Sequence, residues 1–378
     1  MPKLRELRAL VLRAPIQTPV RTSFGVMNDR PMLVVRLEDV DGVSGWGEVW
    51  CNFPSVGAEH RAHLIDSVFA ALLQGAEADD PAALFAMLTA RTHVLAIQSG
   101  EAGPIAQCIS GIDVALWDLK ARRQCRPLYE LLGGGDPVIR VYASGLNPDR
   151  PEVLAKRMHD GGYRAFKLKI AFGLERDLTN LRSIRAAVGP GSALMADANQ
   201  GWNLSEASVA AQSLVDLQLE WLEEPLRADA PRDDWETLSA LSPIPLALGE
   251  NLTSRLAFDE AIGGGYAAVI QPDLSKWGGL SACIPVARAA RDSGKRFCPH
   301  FLGGAIGLAA SAHFLAAIGG DRRLEIDANP NPLRTIFAGP LDTIVEGVAT
   351  LDERPGLSLE PDLDALAHYR TLEVRVAL

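Results

Sequence analysis

The sequence predicts an α/β protein: a (β/α)8 barrel preceded by an α+β unit. Three observations carry this. Between about residues 138 and 330, eight short apolar runs alternate with helical stretches. A glycine break, Leu131-Leu132-Gly133-Gly134-Gly135, separates that region from a differently textured N-terminal part. A charged residue recurs in or just after the runs at a nearly constant step. Alternating strand and helix gives a parallel sheet, and eight units favour a closed barrel over an open sheet. The length of 378 residues allows this, because α/β barrels run past about 200 residues as one unit.

The elements follow in order. Residues 33–37 read Leu-Val-Val-Arg-Leu, Asp41-Gly42 is a turn signal, and Gly45–Trp50 resumes as a strand. That is a hairpin over about 32–50. Residues 60–91 are helical in pattern and rich in alanine and leucine. A second helix covers about 104–123, with Ile109, Ile112, Ala115, Leu116 and Leu119 at helical spacing. The eight runs are 139–143, 165–170, 193–196, 221–222, 245–248, 267–270, 296–298 and 324–326. The tail contains Pro355-Gly356-Leu357 and ends in a strand-like segment, 372–378, expected to return to the N-terminal unit. The organisation is therefore 1–130, 131–340 and 341–378.

Composition excludes several classes. Hydrophobic residues make up 48% and charged residues 22%, which is ordinary for a globular chain and excludes disorder. Five cysteines with no Cys-x-x-Cys spacing point to reduced thiols in a cytosol. A net charge of −10 suits no nucleic-acid partner. The first residues alternate charge with apolar side chains and are no signal peptide. No apolar run approaches the ~18 residues of a membrane span. The expectation is a cytoplasmic enzyme with a small-molecule partner, bound to neither nucleic acid nor membrane.

Barrels of this kind carry their chemistry at the C-terminal strand ends. The polar residues there are Lys167 and Lys169, then Asp197, Glu223, Glu250, Asp273, His300 and Glu325. Counted from Lys169, the steps are 28, 26, 27, 23, 27 and 25 residues. Each step is one strand–helix unit, so the set is expected on one ring. Asp197, Glu223 and Glu250 are carboxylates from consecutive strands and would repel unless a cation lay between them. Mg²⁺ fits an all-oxygen set, and the absence of His or Cys from the triad argues against zinc. Taken singly, each carboxylate reads as well as a helix cap or a surface charge. Lys167-Leu168-Lys169 places both lysines on one side of a strand. Each should lower the other's pKa and make a neutral amine base accessible. Asp273 would fix the tautomer of His300 and raise its basicity, giving a second acid/base group.

These residues resemble the enolase superfamily, and within it the mandelate racemase subgroup. The matching strings are Lys167-Leu168-Lys169, Asp197-Ala198-Asn199, Trp221-Leu222-Glu223-Glu224-Pro225, Gly249-Glu250-Asn251, Gln271-Pro272-Asp273 and Pro299-His300. Weaker support comes from Asp113–Asp118, Leu131–Gly134 and Pro355-Gly356-Leu357. The resemblance implies a modified TIM barrel, (β/α)7β, with an N-terminal α+β capping domain completed by the C-terminal tail. It implies one Mg²⁺ (with Mn²⁺ as a substitute) on Asp197, Glu223 and Glu250, a small carboxylate substrate and a homo-oligomer. It also implies abstraction of the substrate's α-proton to give an enediolate, a chemistry for which this superfamily is itself a standard example. Lys169 would be one base, with Lys167 on the substrate carboxylate. His300, oriented by Asp273, would act from the opposite face. Glu325 would share the enediolate charge, with Asp327 as the competing candidate. Asn199 would be a polar contact, and Lys276 is read as structural.

Two outcomes then remain open. Loss of a β-hydroxyl gives a dehydratase, the expected outcome. Return of the proton to the other face gives a racemase or epimerase. Specificity is expected in two loops, Arg21–Met27 and Trp50–Pro54, through Phe24, Trp50 and Phe53. Their apolar bulk favours a short or partly apolar hydroxy acid, although the same aromatics could simply pack the interface between the domains.

Overall fold

Period-two alternation explains the N-terminal sheet. The computed structural model describes residues 2–21, 25–337 and 339–378. Strands β1 (Leu4–Arg21), β2 (Val26–Asp39) and β3 (Ser44–Val49) pair antiparallel in sequence order. Leu7, Ala9, Val11, Leu33, Val35 and Leu37 face one core, built with helices of the same unit. Leu10, Leu12, Met32, Val34 and Trp46 face the other core, which continues into the rest of the chain. The sheet is thus a partition buried on both faces. That is why the central stretches of β1 and β2, Ala9–Leu12 and Met32–Val35, are apolar at every position.

The helical stretch expected over 60–91 is two helical segments. Helix α1 (Gly57–Leu64) continues through a π turn and a further short helix to Leu73. Helix α2 (Pro81–Ser99) starts afresh, with Pro81 in its first turn and the Asp80 side chain accepting the Ala83 N–H at 3.0 Å. A proline and a capping aspartate together begin a helix. Helix α3 (Ala102–Arg123) lies close against β3. A Cβ on Gly45 would sit 2.1 Å from the Ala115 carbonyl oxygen, and one on Gly47 1.9 Å from that of Gly111. The Gly-Trp-Gly string therefore sets the approach of helix to strand.

Eight parallel strands follow: β4 (Val138–Leu146), β5 (Ala165–Lys169), β6 (Ala193–Asp197), β7 (Leu222–Glu223), β8 (Leu246–Leu248), β9 (Val269–Ile270), β10 (Arg296–Phe297) and β11 (Leu324–Asp327). They pair in order from β4 to β10, and β11 pairs with β4. A bridge between Phe297 and Arg322 brings the two edges together. Seven helices connect them, α4 (Pro151–Asp160), α5 (Leu174–Val188), α6 (Leu204–Ser213), α7 (Arg232–Leu241), α8 (Arg255–Gly263), α9 (Gly279–Asp292) and α10 (Ala305–Ile318). The architecture is (β/α)7β. Strand β12 (Val348–Thr350) pairs with β4, and β13 (Arg370–Ala377) returns to pair antiparallel with β1. Tyr142, Met195, Trp221, Val269 and Cys298 fill the barrel below the charged layer. All five cysteines are free thiols. Among the described residues no helix is long and apolar enough to cross a membrane.

Buried carboxylates tie the layers. Asp113 on α3 accepts the N–H groups of Leu280 and Ser281 at 2.8 and 2.9 Å, at the start of α9. Asp118 accepts those of Trp46 and Leu357 at 2.9 and 2.8 Å. His313 on α10 does the same as a neutral acceptor: its Nδ1 takes the Tyr129 N–H at 3.2 Å. Burial pushes His313 down to about 4. An unfolded histidine near 6.5 binds a proton first, so stability falls as pH drops through that window. Replacement by Gln should remove this sensitivity. Relative to H313Q, the native chain should lose on the order of 2 kcal/mol of unfolding free energy between pH 7 and pH 5, read by urea denaturation. Parallel pH curves for the two proteins would refute the assignment.

Candidate active site

The C-terminal strand ends bring the predicted set together. Lys167 and Lys169 alternate with Leu168 on β5, and both side chains point into the barrel. Lys167 Nζ lies 2.5 Å from Glu223 Oε1, 2.8 Å from Glu325 Oε1 and 3.9 Å from Asp197 Oδ2. Lys169 Nζ lies 2.5 Å from Asp197 Oδ2. Asp197 also accepts the Asn199 N–H at 2.8 Å and its amide at 3.2 Å. On the far side, His300 stands between two carboxylates, with Nδ1 2.7 Å from Asp273 and Nε2 2.7 Å from Glu250. In the ring of strands, β5 and β10 are separated by β4 and β11 one way and by β6 to β9 the other.

The electrostatics correct one expectation. The lysine pair was expected to lower its own pKa. Burial does pull Lys169 down, and Lys167 adds to that, but Asp197, Glu250 and Glu223 outweigh both and hold it above its ordinary value. Burial opposes Lys167 likewise, and Glu223 and Glu325 hold it well above. Carboxylates beside a lysine count for more than the second lysine does. Burial also opposes the charge on His300, yet Glu250, Glu325 and Asp273 hold it well above its usual range.

Each carboxylate reads its surroundings differently. Burial pushes Glu223 up to about 7, with Asp197, Glu325 and Glu250 adding repulsion. Burial and Glu250 keep Glu224 well above the carboxylate range. Against burial, His300 and Lys276 hold Glu250 well below it. Against burial, Lys167 and His300 hold Glu325 down to about 2.

Glu325 and Asp327 separate cleanly. Glu325 joins Lys167, accepts the Ser144 hydroxyl and takes the Phe301 N–H at 3.2 Å. Asp327 pairs with Arg30 of β2 at 2.5 Å and accepts both the N–H and the side-chain amide of Asn329, at 3.0 and 2.8 Å. It fastens the two sheets and does not join the ring. Lys276, read as structural, sits inside the cluster instead: its Nζ is 2.9 Å from Asn251 Oδ1 and 3.4 Å from Glu250 Oε1. Trp50 covers it, with its ring centroid 5.1 Å from Nζ. Phe53 lies beside Gly25, and its carbonyl accepts from Arg61 at 3.4 Å. Phe24 falls outside the described residues.

Trp221, Gln271, Ser144 and Glu224 were given no role in the sequence reading. Trp221 Nε1 and Gln271 Nε2 donate to Glu223 Oε2 at 3.1 and 2.7 Å, and Ser144 holds Glu325. Trp221 and Gln271 each lie two residues before a ring member. On a strand that means the same face, one layer deeper, and this was the available signal.

Comparison with known proteins places the chain. Residues 5–133 match the family described as "Mandelate racemase / muconate lactonizing enzyme, N-terminal domain", and residues 152–365 match "Enolase C-terminal domain-like". The chain belongs to the enolase superfamily. A solved mandelate racemase/muconate lactonizing enzyme from Bordetella bronchiseptica is 51% identical, with a TM-score of 0.92 over 97% of this chain and 99% of that one. A Streptomyces coelicolor racemase with bound magnesium is 29% identical, at 0.88 over 97% and 100%. A D-galactarolactone cycloisomerase from Agrobacterium fabrum is 32% identical over 97% of this chain and 99% of its own. Relatives named N-succinyl-L-Arg/Lys racemase (Bacillus cereus) and arabinonate dehydratase (Saccharolobus solfataricus) are 27% and 28% identical, covering 96% and 87% of this chain and 97% and 88% of their own. Superfamily members bind Mg²⁺.

The residues present fit such a cation, although among the described residues no three acidic, His or Cys side chains already converge on one metal position. Each carboxylate is turned to an ammonium or the imidazole instead. The donors are oxygens from neighbouring strands, as a hard cation requires. Six carboxyl groups (Asp197, Glu223, Glu224, Glu250, Asp273 and Glu325) face Lys167, Lys169, Lys276 and His300, a surplus of two acidic groups. Burial is the main cause of the raised pKa of Glu223 and Glu224, and repulsion from neighbouring carboxylates adds to it. Glu250 Oε2 is buried and makes no well-directed hydrogen bond, despite the imidazole at 2.7 Å.

The two neighbouring carboxylates should respond in opposite ways to neutral substitution. Asp327→Asn leaves Arg30 buried without its counter-charge and should cost about 3–5 kcal/mol of unfolding free energy, while the folded fraction keeps its turnover. Glu325→Gln should spare stability and lower turnover about 10²–10³-fold. Denaturation curves and rates on both proteins test this, and the reversed pattern would make Asp327 the functional carboxylate.

Proposed function

We propose that this protein abstracts the α-proton of a small carboxylate substrate and then expels an oxygen leaving group from the β-carbon, as a dehydratase of hydroxy or sugar acids. One observation carries the reading: two proton-transfer groups, Lys169 and His300, flank one carboxylate set from distant strands and are ion-paired to it through Asp197 and Glu250. Lys169 takes the α-hydrogen as a proton, and the C–H electron pair moves into the carboxylate to give an enediolate. His300, oriented by Asp273, gives its proton to the β-oxygen as the C–O bond breaks. The enol that results becomes a 2-keto-3-deoxy acid. Mg²⁺, with Mn²⁺ as a substitute, held by Asp197, Glu223 and Glu250, supplies positive charge against the enediolate oxygens. Lys167 pairs with the substrate carboxylate, and Glu325, an acceptor while it is ionised, holds Lys167 in place.

The metal-ligand roles also bear on the lysine. Asp197 is the chief group holding Lys169 up. With that carboxylate committed to a divalent cation, Lys167 and burial pull the amine toward its basic form. Trp50 lies over Lys276, and with Phe53 it supports a short or partly apolar acid as substrate. Racemisation is the second reading, since two-sided placement of the same groups serves a 1,1-proton transfer.

The test is NMR in D₂O with Mg²⁺ and pooled hydroxy acids and sugar acids. A 2-keto-3-deoxy product is expected; α-deuterium in an acid of inverted configuration would make the enzyme a racemase instead. Lys169→Met should reduce α-exchange about 10²–10⁴-fold, and exchange undiminished in that variant would remove Lys169 from the mechanism. The ligand assignment has its own readout. Gln271→Met takes a donor from Glu223 and should weaken Mg²⁺ binding about 10- to 100-fold by calorimetry. Unchanged affinity would mean that Glu223 is not a ligand.

A further inference from the structure

The two proton-transfer groups are held by different parts of the molecule. Lys169 is the last residue of β5, paired in register with Asp197 of β6, and its Nζ bonds to that same aspartate. Its position is set within the barrel sheet. His300 lies just beyond the two-residue strand β10, at the head of the segment leading to α10. The barrel holds the start of this segment, through His300 N–H on the Pro272 carbonyl at 3.2 Å and the Phe301 N–H on Glu325.

From Leu302 onward, residues at the end of β3 hold it, joined by Asn331 beyond β11, whose Nδ2 donates to the Gly303 carbonyl at 2.9 Å. Asn52 Nδ2 donates to the Leu302 carbonyl at 2.6 Å. Glu48 Oε1 accepts the Gly304 N–H at 2.6 Å, and Oε2 accepts the Gly307 N–H at 2.9 Å. The Trp50 N–H reaches the Ser275 carbonyl at 3.3 Å, two residues past Asp273. Glu48 is a buried carboxylate whose donors are backbone groups at the start of a 14-residue helix, where negative charge is favoured. The segment is shaped for this contact. A Cβ on Gly303 would lie 2.5 Å from Glu48 Oε1, and one on Gly304 would lie 2.4 Å from Met32 Sδ.

We propose that Glu48, assisted by Asn52, is a positioning residue for His300, so that the N-terminal unit sets the proton donor while the barrel alone sets the base. This rests on the two-sided reading above. Its consequence is a division of the reaction. Seating of the N-terminal unit governs the second proton transfer, and α-proton removal by Lys169 proceeds without it.

The experiment compares full-length, Mg²⁺-loaded native enzyme with Glu48→Gln. Glutamine keeps the volume and one acceptor oxygen, but turns an N–H toward a backbone N–H and so loses one of the two bonds. Asp118→Asn is the control for general loosening, because it frees the Trp46 N–H on the same strand without touching the 300–307 segment. The probe is the pooled α-deuterated 2-hydroxy acids. In E48Q, α-deuterium washout should stay within about twofold of native, while product formation, by elimination or inversion, falls about tenfold or more. Mg²⁺ affinity should hold, and D118N should leave the ratio of product to washout at the native value. Equal loss of both events in E48Q, loss of neither, or the same ratio change in D118N would overturn the proposal. If native enzyme washes out nothing, the two-sided reading has failed. The positioning claim then stands or falls on the ¹⁵N ring signals of His300, assigned with H300N. E48Q should displace them and D118N should not, and unmoved signals in E48Q would overturn it.

Discussion

The barrel mouth buries six carboxyl groups against three lysines and one histidine, and the rest of the site follows from that imbalance. Lys167 is its pivot. It is wholly buried and bridges Glu223 and Glu325, which come from strands far apart in the ring. An unpaired ammonium there would be prohibitive, and so would either carboxylate without it. Those contacts fix the heights of β5, β7 and β11 relative to one another. They also leave Glu223 with one oxygen on Lys167 and the other on Trp221 and Gln271. A carboxylate so fully held cannot swing. It keeps one orientation at which a cation can be met, which is what an ordered metal site needs.

Much of this was legible because a barrel strand has few degrees of freedom. A parallel strand followed by a helix takes about 25 residues, and its C-terminal end must face the mouth. A charged residue at each step therefore announces a ring, and all eight strand positions read from the apolar runs correspond to strands in the structure. What resisted reading was whatever depends on neighbours across the fold. Asp327 shares its side of β11 with Glu325, and only the approach of Arg30, 297 residues away, tells them apart. The lysine pair suggested mutual repulsion, and the carboxylates facing it reverse the sign. Lys276 was read as structural, and its partners, Glu250 and Trp50, come from another strand and another unit. The break between α1 and α2 was visible in Asp80-Pro81 but lay inside a long alanine- and leucine-rich pattern that masked it.

The N-terminal sheet shows why sequence alone understates a site. Its two faces are both apolar, so its strands carry no sign of which face meets the barrel. The division appears only when odd and even positions of β1 and β2 are found in two different cores. Once that sheet is a shared wall, the residues at its edge become part of the mouth. Glu48, Trp50 and Asn52 follow directly from β3, and their reach is short. The glycines at 45 and 47 draw β3 onto α3, and those at 303 and 304 clear room for Glu48 and Met32 against the segment after His300. Packing at one end of the strand thereby sets electrostatics at the other.

On the proposed roles, the two proton-transfer groups are held by different parts of the fold. Lys169 belongs to a hydrogen-bonded strand and cannot move without its neighbours. His300 belongs to a connection whose far half is tied to a different unit. A base that must meet a weakly acidic C–H gains from fixed geometry, since a displacement near 1 Å can cost about 100-fold. A donor to a departing oxygen has to follow an atom that moves as its bond breaks. It also has to suit substrates that place this oxygen differently. The names of the relatives span cycloisomerase, racemase and dehydratase, three different outcomes. Keeping the first step in the sheet, and tying the second to a separate unit, lets the second be altered without disturbing the first.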